Sequence, residues 1–218
     1  MANYFQYGEK EIEHLKRVDK RLAAVIDQIG QIERTVIPDL FSALIHSIVG
    51  QQISTKAHQT VWERMQKELE RITPVVIDNL PQEKLQKFGI TLKKAAYIKS
   101  VARKILTGEF DIDSLHSMPD KEVCAKLSAL DGVGVWTAEM LMIFSMQRPN
   151  VLSYGDLAIH RGLRMAYRHR KIDKAKFNRY WKRYTPYASV ASLYLWAVAG
   201  GAIDGMKDYA PQKCKRII

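Results

Sequence analysis

Apolar residues recur along most of the chain at the three- and four-residue spacing of one helix face. In residues 39–49 they stand at i, i+1, i+4, i+5, i+8 and i+9, a set formed by Leu40, Phe41, Leu44, Ile45, Ile48 and Val49. This spacing predicts a helix with one buried side, which Gly50 ends. Ser54 is placed to cap a second helix that runs to about Glu70.

The same signals predict helices over much of the remaining sequence. Each predicted helix begins at a capping residue or a proline and ends near a glycine or a polar loop. The segments are residues 81–88, 91–106, 119–129, 135–147, 156–169, 174–184 and 186–199. Pro74 is expected to break the chain. Because the sequence contains no run of alternating apolar and polar residues, the predicted fold class is all-α.

Positive charge is concentrated in one segment. The chain has 34 Lys and Arg against 23 Asp and Glu, a net charge of +11. Residues 161–183 contain ten of the basic residues and a single acid, Asp173, with aromatic residues interleaved. A solvated helix face is the ordinary interpretation of such a run. A patch this concentrated is also the electrostatic signature of a polyanion partner, and it favours nucleic acid over a membrane.

A turn with two closely spaced glycines joins two of the predicted helices. Its sequence is Leu130-Asp131-Gly132-Val133-Gly134-Val135-Trp136-Thr137-Ala138. The glycines permit a positive φ and close approach of another molecule's backbone, and the valine between them can anchor the turn in the core. The N–H groups of Gly134 and Val135 would then face outward at a helix N-terminus, which suits a phosphate. The pattern is typical of a helix-hairpin-helix, and an ordinary short turn is the alternative.

Two further segments place polar residues at helix boundaries. Asp156 follows Tyr154-Gly155 at the start of a predicted helix. Most aspartates in such positions are helix N-caps only, but a carboxylate just beyond a DNA-binding hairpin could face a sugar of the bound strand. Upstream, Gln51 and Gln52 stand in the predicted turn between two helices, where they form either a polar protrusion or a plain capped turn.

Four motifs, in order along nearly the whole chain, resemble the helix-hairpin-helix superfamily of DNA glycosylases, and within it the 3-methyladenine DNA glycosylase II type. Residues 48–54 resemble the IxxQQxS turn of that branch, and residues 89–98 resemble its GxSxxKAxYI helix. Residues 130–138 resemble its LPGxGxWTA hairpin, with Asp131 in place of the usual proline. Residues 154–157 resemble its catalytic loop.

The resemblance implies two all-α lobes with an active-site cleft between them. Residues 36–149 would form a central lobe that includes the hairpin, and residues 1–35 with 150–218 would form a second lobe that carries the catalytic aspartate. The implied activity is that of a monofunctional enzyme of base excision repair. It would flip alkylated purines such as 3-methyladenine and 7-methylguanine out of double-stranded DNA, hydrolyse the N-glycosidic bond and leave an abasic site.

The resemblance also gives roles to single residues. Asp156 would stabilise the oxocarbenium-like sugar and orient or deprotonate water, and Gln52 would fill the space left by the flipped nucleotide. Electron-rich rings attract a cationic alkylated base. The implied base pocket is lined by Trp136, Trp196, Tyr154 and Met140, the last standing where the family has another aromatic residue.

The implied contacts with the DNA backbone involve the hairpin and one arginine, namely Gly132, Gly134, Val135, Thr137 and Arg161. By the same resemblance, a monovalent cation, Na⁺ or K⁺, would be bound by the backbone carbonyls of Ser128, Leu130 and Val133. No other cofactor is expected.

Two departures from related branches narrow the chemistry. Bifunctional members carry a lysine for Schiff-base attack where this chain has Trp136, so the lyase route should be closed. The endonuclease III and adenine-mismatch branches carry a four-cysteine iron–sulfur cluster near the C-terminus. This chain has two cysteines, Cys124 and Cys214, so that cluster is excluded. Its six scattered histidines show no metal-ligand spacing.

Alternatives to this activity remain open. A glycosylase for another lesion, such as hypoxanthine, would share the motifs. A non-catalytic helix-hairpin-helix DNA-binding module would keep the hairpin and the basic patch without needing Asp156, Gln52 or Trp136. A transcription regulator fits less well, because such a hairpin approaches the DNA backbone instead of the base edges.

The sequence also gives expectations about location and partners. No apolar signal core stands near the N-terminus, and the apolar run 188–203 is too short and too polar for a membrane span. We therefore expect a cytoplasmic protein, associated with the nucleoid in a bacterium. Its expected partner is damaged double-stranded DNA, with no membrane contact, and the expected state is a monomer.

Overall fold

The computed structural model describes residues 3–211, which separate into two compact units. The hairpin unit comprises Val36–Met146, and the aspartate unit comprises residues 3–35 and 147–211. The sequence predicts that the central lobe ends at residue 149, three residues after the hairpin unit ends in the structure. Within the described residues the chain forms twelve α-helices, one short 3-10 helix and two strands of two residues each, so the all-α prediction is confirmed. Cys214 lies outside the described residues.

The aspartate unit begins with β1 (Asn3–Tyr4), α1 (Glu9–Val18) and α2 (Lys20–Ile29). Strand β2 (Thr35–Val36), which pairs with β1, ends on the first residue of the hairpin unit. The elements of the hairpin unit are α3 (Leu40–Gly50), α4 (Thr55–Leu69), α5 (Pro74–Asn79), α6 (Gln82–Lys87), α7 (Leu92–Leu106), a 3-10 helix (Asp113–Ser117), α8 (Asp120–Ser128) and α9 (Val135–Phe144). The aspartate unit ends with α10 (Leu157–Tyr167), α11 (Lys174–Tyr184) and α12 (Ala188–Ala199).

Helix α3 is the centre of the hairpin unit. Seven of its eleven residues are buried, and it packs against α4, α7 and α9. Burying each large apolar side chain contributes about 1.5–3 kcal/mol, so the stripe predicted from the sequence is what holds this helix in place. Asp39 caps its first turn by accepting a hydrogen bond from the Ser42 N–H at 2.7 Å.

Pro74 does not interrupt helical structure, contrary to the prediction. It is the first residue of α5, where its missing N–H removes no helical hydrogen bond. The Thr73 hydroxyl caps this helix by accepting from the Val76 N–H at 3.3 Å. Helices α1 and α2 lie in residues 1–35, where we predict none. The first of them buries only Leu15, so the apolar periodicity that marks other helices is weak there.

Helix α12 is the core of the aspartate unit. Ten of its twelve residues are buried, and it packs against α10 and α2. The contact with α10 is close at Gly162, where any side chain would overlap the Leu195 backbone. This packing fixes the two helices that carry Asp156 and Trp196. None of the helices within residues 3–211 combines the length and apolar character needed to span a membrane.

Candidate active site and nucleic-acid interface

The hairpin is residues 130–134, between α8 and α9. Leu130 and Val133 are buried and anchor it, and Gly132 has a φ of +79°. Gly134 is the N-cap of α9 with φ −90°, and it supplies no side-chain cap to that helix. A Cβ added at Gly134 would meet no atom within 4 Å. Gly134 therefore offers no capping side chain to the first N–H groups of α9, at a point where another molecule's backbone can come close.

The residues expected to bind the DNA backbone differ in exposure. Val135 is 57% exposed at the start of α9, whereas the Thr137 side chain is buried, so its backbone N–H is the group left to contribute. Arg161 is exposed on α10 of the aspartate unit. Asp131, where the family pattern has proline, accepts a hydrogen bond from the Ser100 hydroxyl at 2.7 Å, and this bond ties the hairpin to α7.

Residues 51–54 form the wedge turn between α3 and α4. The Gln52 side chain is exposed, and its φ of +55° lies in the left-handed region, which is unusual for a residue other than glycine. The Gln51 side chain points elsewhere: its amide donates to the Gly132 carbonyl at 2.7 Å. The two glutamines therefore have different tasks, since one is presented outward and the other connects the wedge turn to the hairpin.

Asp156 is buried at the N-terminus of α10, with 7% of its surface exposed. One carboxylate oxygen, Oδ1, accepts from the N–H groups of Ala158 at 2.8 Å and Ile159 at 3.0 Å. The other, Oδ2, accepts from the Trp196 indole N–H at 3.2 Å. The N-cap interpretation is thus correct for one oxygen. The second oxygen is oriented by a side chain from α12, which an N-cap does not require.

The predicted base-pocket residues are divided between the two units. Trp136 is 49% exposed near the start of α9, and Met140, half-buried, lies one turn further along the same face of that helix. In the aspartate unit, half-buried Trp196 is bonded to Asp156. Its indole therefore orients the carboxylate, a role that its position in an apolar helix did not indicate.

Tyr154 stands beside the aspartate in a small aromatic cluster. Its ring meets those of His160 and Phe177 edge-on, each at a centroid distance of 5.0 Å. The Lys174 ammonium lies 4.0 Å from the Tyr154 ring centroid, and His160 Nε2 is 2.8 Å from the Tyr154 carbonyl oxygen. An ammonium at this distance competes with a cationic base for the electron-rich ring.

The basic segment is largely exposed on α10, α11 and the residues between them. Two of its arginines have structural partners, because Arg164 pairs with Asp208 at 2.7 Å and Arg183 pairs with buried Asp19 at 2.6 Å. The Arg164 guanidinium holds the pKa of Asp208 below its usual value. The other basic side chains exposed in this segment are Arg161, Arg168, Arg170, Lys171, Lys174, Arg179 and Lys182.

Side chains that sequence reasoning did not single out hold these elements in place. The Lys94 ammonium donates to the carbonyls of Val49 at 2.8 Å and Gln51 at 2.5 Å. Lys94 belongs to the motif at residues 89–98, and that membership is the signal that could have found it.

Within residues 3–211, no group of three or more His, Cys, Asp or Glu side chains could hold a metal ion.

A helix-hairpin-helix followed by a buried aspartate at a helix N-terminus is the arrangement that the resemblance to the helix-hairpin-helix DNA glycosylases predicts. The model of the HhH-GPD superfamily of base excision DNA repair proteins matches residues 45–186. That segment contains the wedge turn, the hairpin and Asp156. The chain belongs to this superfamily.

Named relatives and solved structures cover most of the chain. A DNA-3-methyladenine glycosylase of Schizosaccharomyces pombe is 27% identical over 92% of this chain and 91% of its own length. The crystal structure of a DNA-3-methyladenine glycosidase from Bacillus halodurans is 33% identical, with a TM-score of 0.81 over 92% of this chain and 94% of that one. A 3-methyladenine DNA glycosylase from Schizosaccharomyces pombe in complex with abasic DNA has a TM-score of 0.75 at 24% identity over 88% and 97% of the chains, and it shows the likeness of fold.

Proposed function

We propose that this protein is a monofunctional DNA glycosylase that removes alkylated purines, such as 3-methyladenine and 7-methylguanine, by hydrolysis of the N-glycosidic bond. The observation that carries the proposal is the Asp156 carboxylate, which is buried and held by two backbone N–H groups and an indole N–H. The names of the relatives at 27% and 33% identity support the choice of alkylated purines.

The partner in this proposal is double-stranded DNA containing a damaged base. The Gly134 and Val135 N–H groups at the start of α9 bind phosphate oxygens, and the exposed basic residues of α10 and α11 add attraction that does not depend on sequence. A glycosylase reaches its bond only after the nucleotide leaves the stack. Gln52, which is exposed at the wedge turn, enters the duplex and replaces the flipped base. The protein acts as a monomer and needs no membrane.

The chemical step follows from the charge that develops on the sugar. As the bond between the sugar and the base lengthens, the sugar becomes positively charged, and the fixed carboxylate of Asp156 stabilises it without having to reorient. The same group orients water or accepts its proton. Trp136 stands where bifunctional relatives carry a lysine, so no Schiff base forms there. The product is an abasic site in an unbroken strand.

Recognition of the lesion relies on the cationic character of an alkylated purine. Alkylation at N3 or N7 places a positive charge on the base, which makes it a good leaving group and a partner for aromatic rings. In this proposal the side chains that attract the cationic base are exposed Trp136, with Met140 beside it, in the hairpin unit, and Trp196 and Tyr154 in the aspartate unit. Each such cation–π contact contributes about 0.5–2 kcal/mol.

The proposal includes a monovalent cation at the hairpin. Ser128 ends α8, and Leu130 and Val133 flank the turn at Gly132, so three carbonyls fall within six residues of one tight bend. The Leu130 carbonyl accepts from the Val133 N–H at 3.0 Å and keeps a second lone pair for a cation. Carbonyl oxygens are suitable ligands for Na⁺ or K⁺. Bound there, the ion would add positive charge beside the phosphate-binding N–H groups.

The test is base release from methylated duplex DNA, identified by chromatography, with strand nicking measured in parallel. We expect free 3-methyladenine or 7-methylguanine and no nicks. Release of hypoxanthine alone, from a duplex that contains it, would reassign the lesion. Binding without release of any base would refute the enzymatic proposal and leave a DNA-binding module.

A further inference from the structure

One stripe of α7 contacts both the wedge turn and the hairpin. Its members are Lys94, Tyr97 and Ser100, spaced by three residues and therefore on one side of the helix. Lys94 binds the carbonyls at the end of α3, and the Ser100 hydroxyl binds Asp131 of the hairpin. The Tyr97 ring lies so close to Gly132 that a Cβ there would overlap it. Helix α7 thus sets the separation of the two elements that carry Gln52 and the phosphate-binding N–H groups.

Lys94 takes the position of a charged cap on α3. The last carbonyls of a helix lack partners within the helix and carry partial negative charge, so an ammonium there is favourable. It binds Val49 at 2.8 Å and Gln51 at 2.5 Å, the two residues that bracket Gly50. Burial lowers the pKa of Lys94, which is the electrostatic cost of placing the charge there.

Gln52, the residue after the capped Gln51 carbonyl, has a strained backbone conformation. Gln52 has φ +55°, and a residue other than glycine held in the left-handed region costs of order 1–3 kcal/mol. Such a conformation persists only where its surroundings determine it. On its N-terminal side those surroundings are the Lys94 bond to the Gln51 carbonyl and the Gln51 amide bond to Gly132 at 2.7 Å. On the other side, Ser54 caps α4 by accepting from the Ala57 N–H at 3.2 Å.

We propose that Lys94 is a positioning residue for base flipping, because it holds the wedge turn in register with the hairpin so that Gln52 meets the duplex at a fixed distance from the bound phosphate. The inference rests on the proposed function, since it assigns a source for the geometry that flipping needs. Lys94 itself contacts protein carbonyls and is not a catalytic residue.

Lys99, on the same helix, provides a matched control. Its ammonium donates to the carbonyls of Asp78 at 2.8 Å and Leu80 at 2.5 Å, at the end of α5. The chemistry is that of Lys94, namely one ammonium on two backbone carbonyls at a helix end. The helix that it caps carries neither the wedge turn nor the hairpin. Lys94→Met and Lys99→Met therefore remove equivalent bonds, and only the first releases the wedge turn.

The experiment compares the wild type, Lys94→Met, Lys94→Arg and Lys99→Met on a duplex with one lesion that the wild type excises. A 2-aminopurine beside the lesion reports flipping, and rates are measured at single turnover well below each unfolding midpoint. For Lys94→Met we expect a rate lower by about 10- to 100-fold, with a smaller fluorescence change, as a misplaced reacting geometry gives. Affinity for undamaged duplex should stay unchanged, and Lys94→Arg should recover part of the rate. Lys99→Met should excise at the wild-type rate.

Equal rates for Lys94→Met and Lys99→Met would overturn the inference. If Lys94→Met does not fold, Lys94→Gln serves instead, because its shorter, uncharged side chain cannot donate to both the Val49 and Gln51 carbonyls. A wild-type flipping signal in that variant would also overturn the inference. Failure of the wild-type protein to release any base is a separate result, visible before variants are compared, and it would refute the proposed function itself.

Discussion

The two hairpin glycines give a sharp test, because the structure assigns them different tasks. At Gly132 the φ is +79° and an added Cβ overlaps the Tyr97 ring. At Gly134 the φ is −90° and the added Cβ meets nothing. Gly132→Ala should therefore damage the fold, whereas Gly134→Ala should leave the fold intact and place a methyl group where the proposed function brings a DNA phosphate.

The magnitudes follow from these geometries. For Gly132→Ala, the left-handed backbone costs about 1–2 kcal/mol and the overlap with Tyr97 about 1–3 kcal/mol, so the free energy of unfolding should fall by about 2–5 kcal/mol. For Gly134→Ala, the less flexible unfolded chain raises the free energy of unfolding by about 0.4–1 kcal/mol, and this gain roughly offsets the loss from alanine being a poorer N-cap than glycine. Loss of one charge-assisted hydrogen bond, about 1.5–3 kcal/mol, should weaken DNA binding by about 10- to 100-fold.

Urea unfolding measures the first effect, and fluorescence anisotropy of a labelled duplex at fixed salt measures the second. We expect Gly134→Ala to unfold like the wild type and to bind DNA at least about tenfold more weakly. Wild-type affinity in this variant would refute the hairpin as the phosphate-binding element. Wild-type stability in Gly132→Ala would refute the steric argument for the turn.

Three further predictions concern polar groups that are buried or half-buried. Trp196→Phe removes the indole bond to Asp156 and should slow base release by about tenfold with a much smaller change in DNA affinity; an unchanged rate would show that this bond is not needed. Asp19→Asn keeps the cap on α2 but loses the charge that faces Arg183. The free energy of unfolding measured in urea should therefore fall by about 1–3 kcal/mol, and an unchanged value would contradict a stabilising ion pair. Burial, and secondarily His58, lower the pKa of His46 to about 4, below the 6.5 of an unfolded histidine. As the pH falls, the unfolded state therefore takes up the proton first. The free energy of unfolding should be full above about pH 6.5 and fall towards pH 4, and it should depend less steeply on pH in His46→Gln. Equal pH dependence of the two proteins in urea unfolding would refute the assignment.

Local signals predicted most of the helices because they are strong in this chain. The stripe of α3 and the caps Ser54 and Thr91 appear in the structure at the expected residues. Pro74 misled because proline both ends helices and starts them, and the Thr73 cap decides between the two. Helix α1 was missed because a helix that buries one leucine has little apolar periodicity to detect.

The sequence motifs singled out candidate site residues but not the contacts between them. The motifs located Asp156, Gln52 and the hairpin. The bonds that orient them join residues far apart in sequence, such as Trp196 with Asp156 and Gln51 with Gly132. No local pattern encodes such pairs, because they depend on how helices pack. Lys94 shows this most clearly, since its importance lies in two carbonyls more than forty positions away.

The measurement that tests the central claim most directly compares base release by the wild type and by Asp156→Asn on methylated duplex DNA that both proteins bind. Asparagine keeps an oxygen for the Ala158 and Ile159 N–H groups, so the cap on α10 is retained while the charge is lost. The wild type should release 3-methyladenine or 7-methylguanine without nicking. The variant should bind at least as tightly and release bases about a thousandfold more slowly. Equal release by the two proteins would contradict the assignment of Asp156 as the reaction centre.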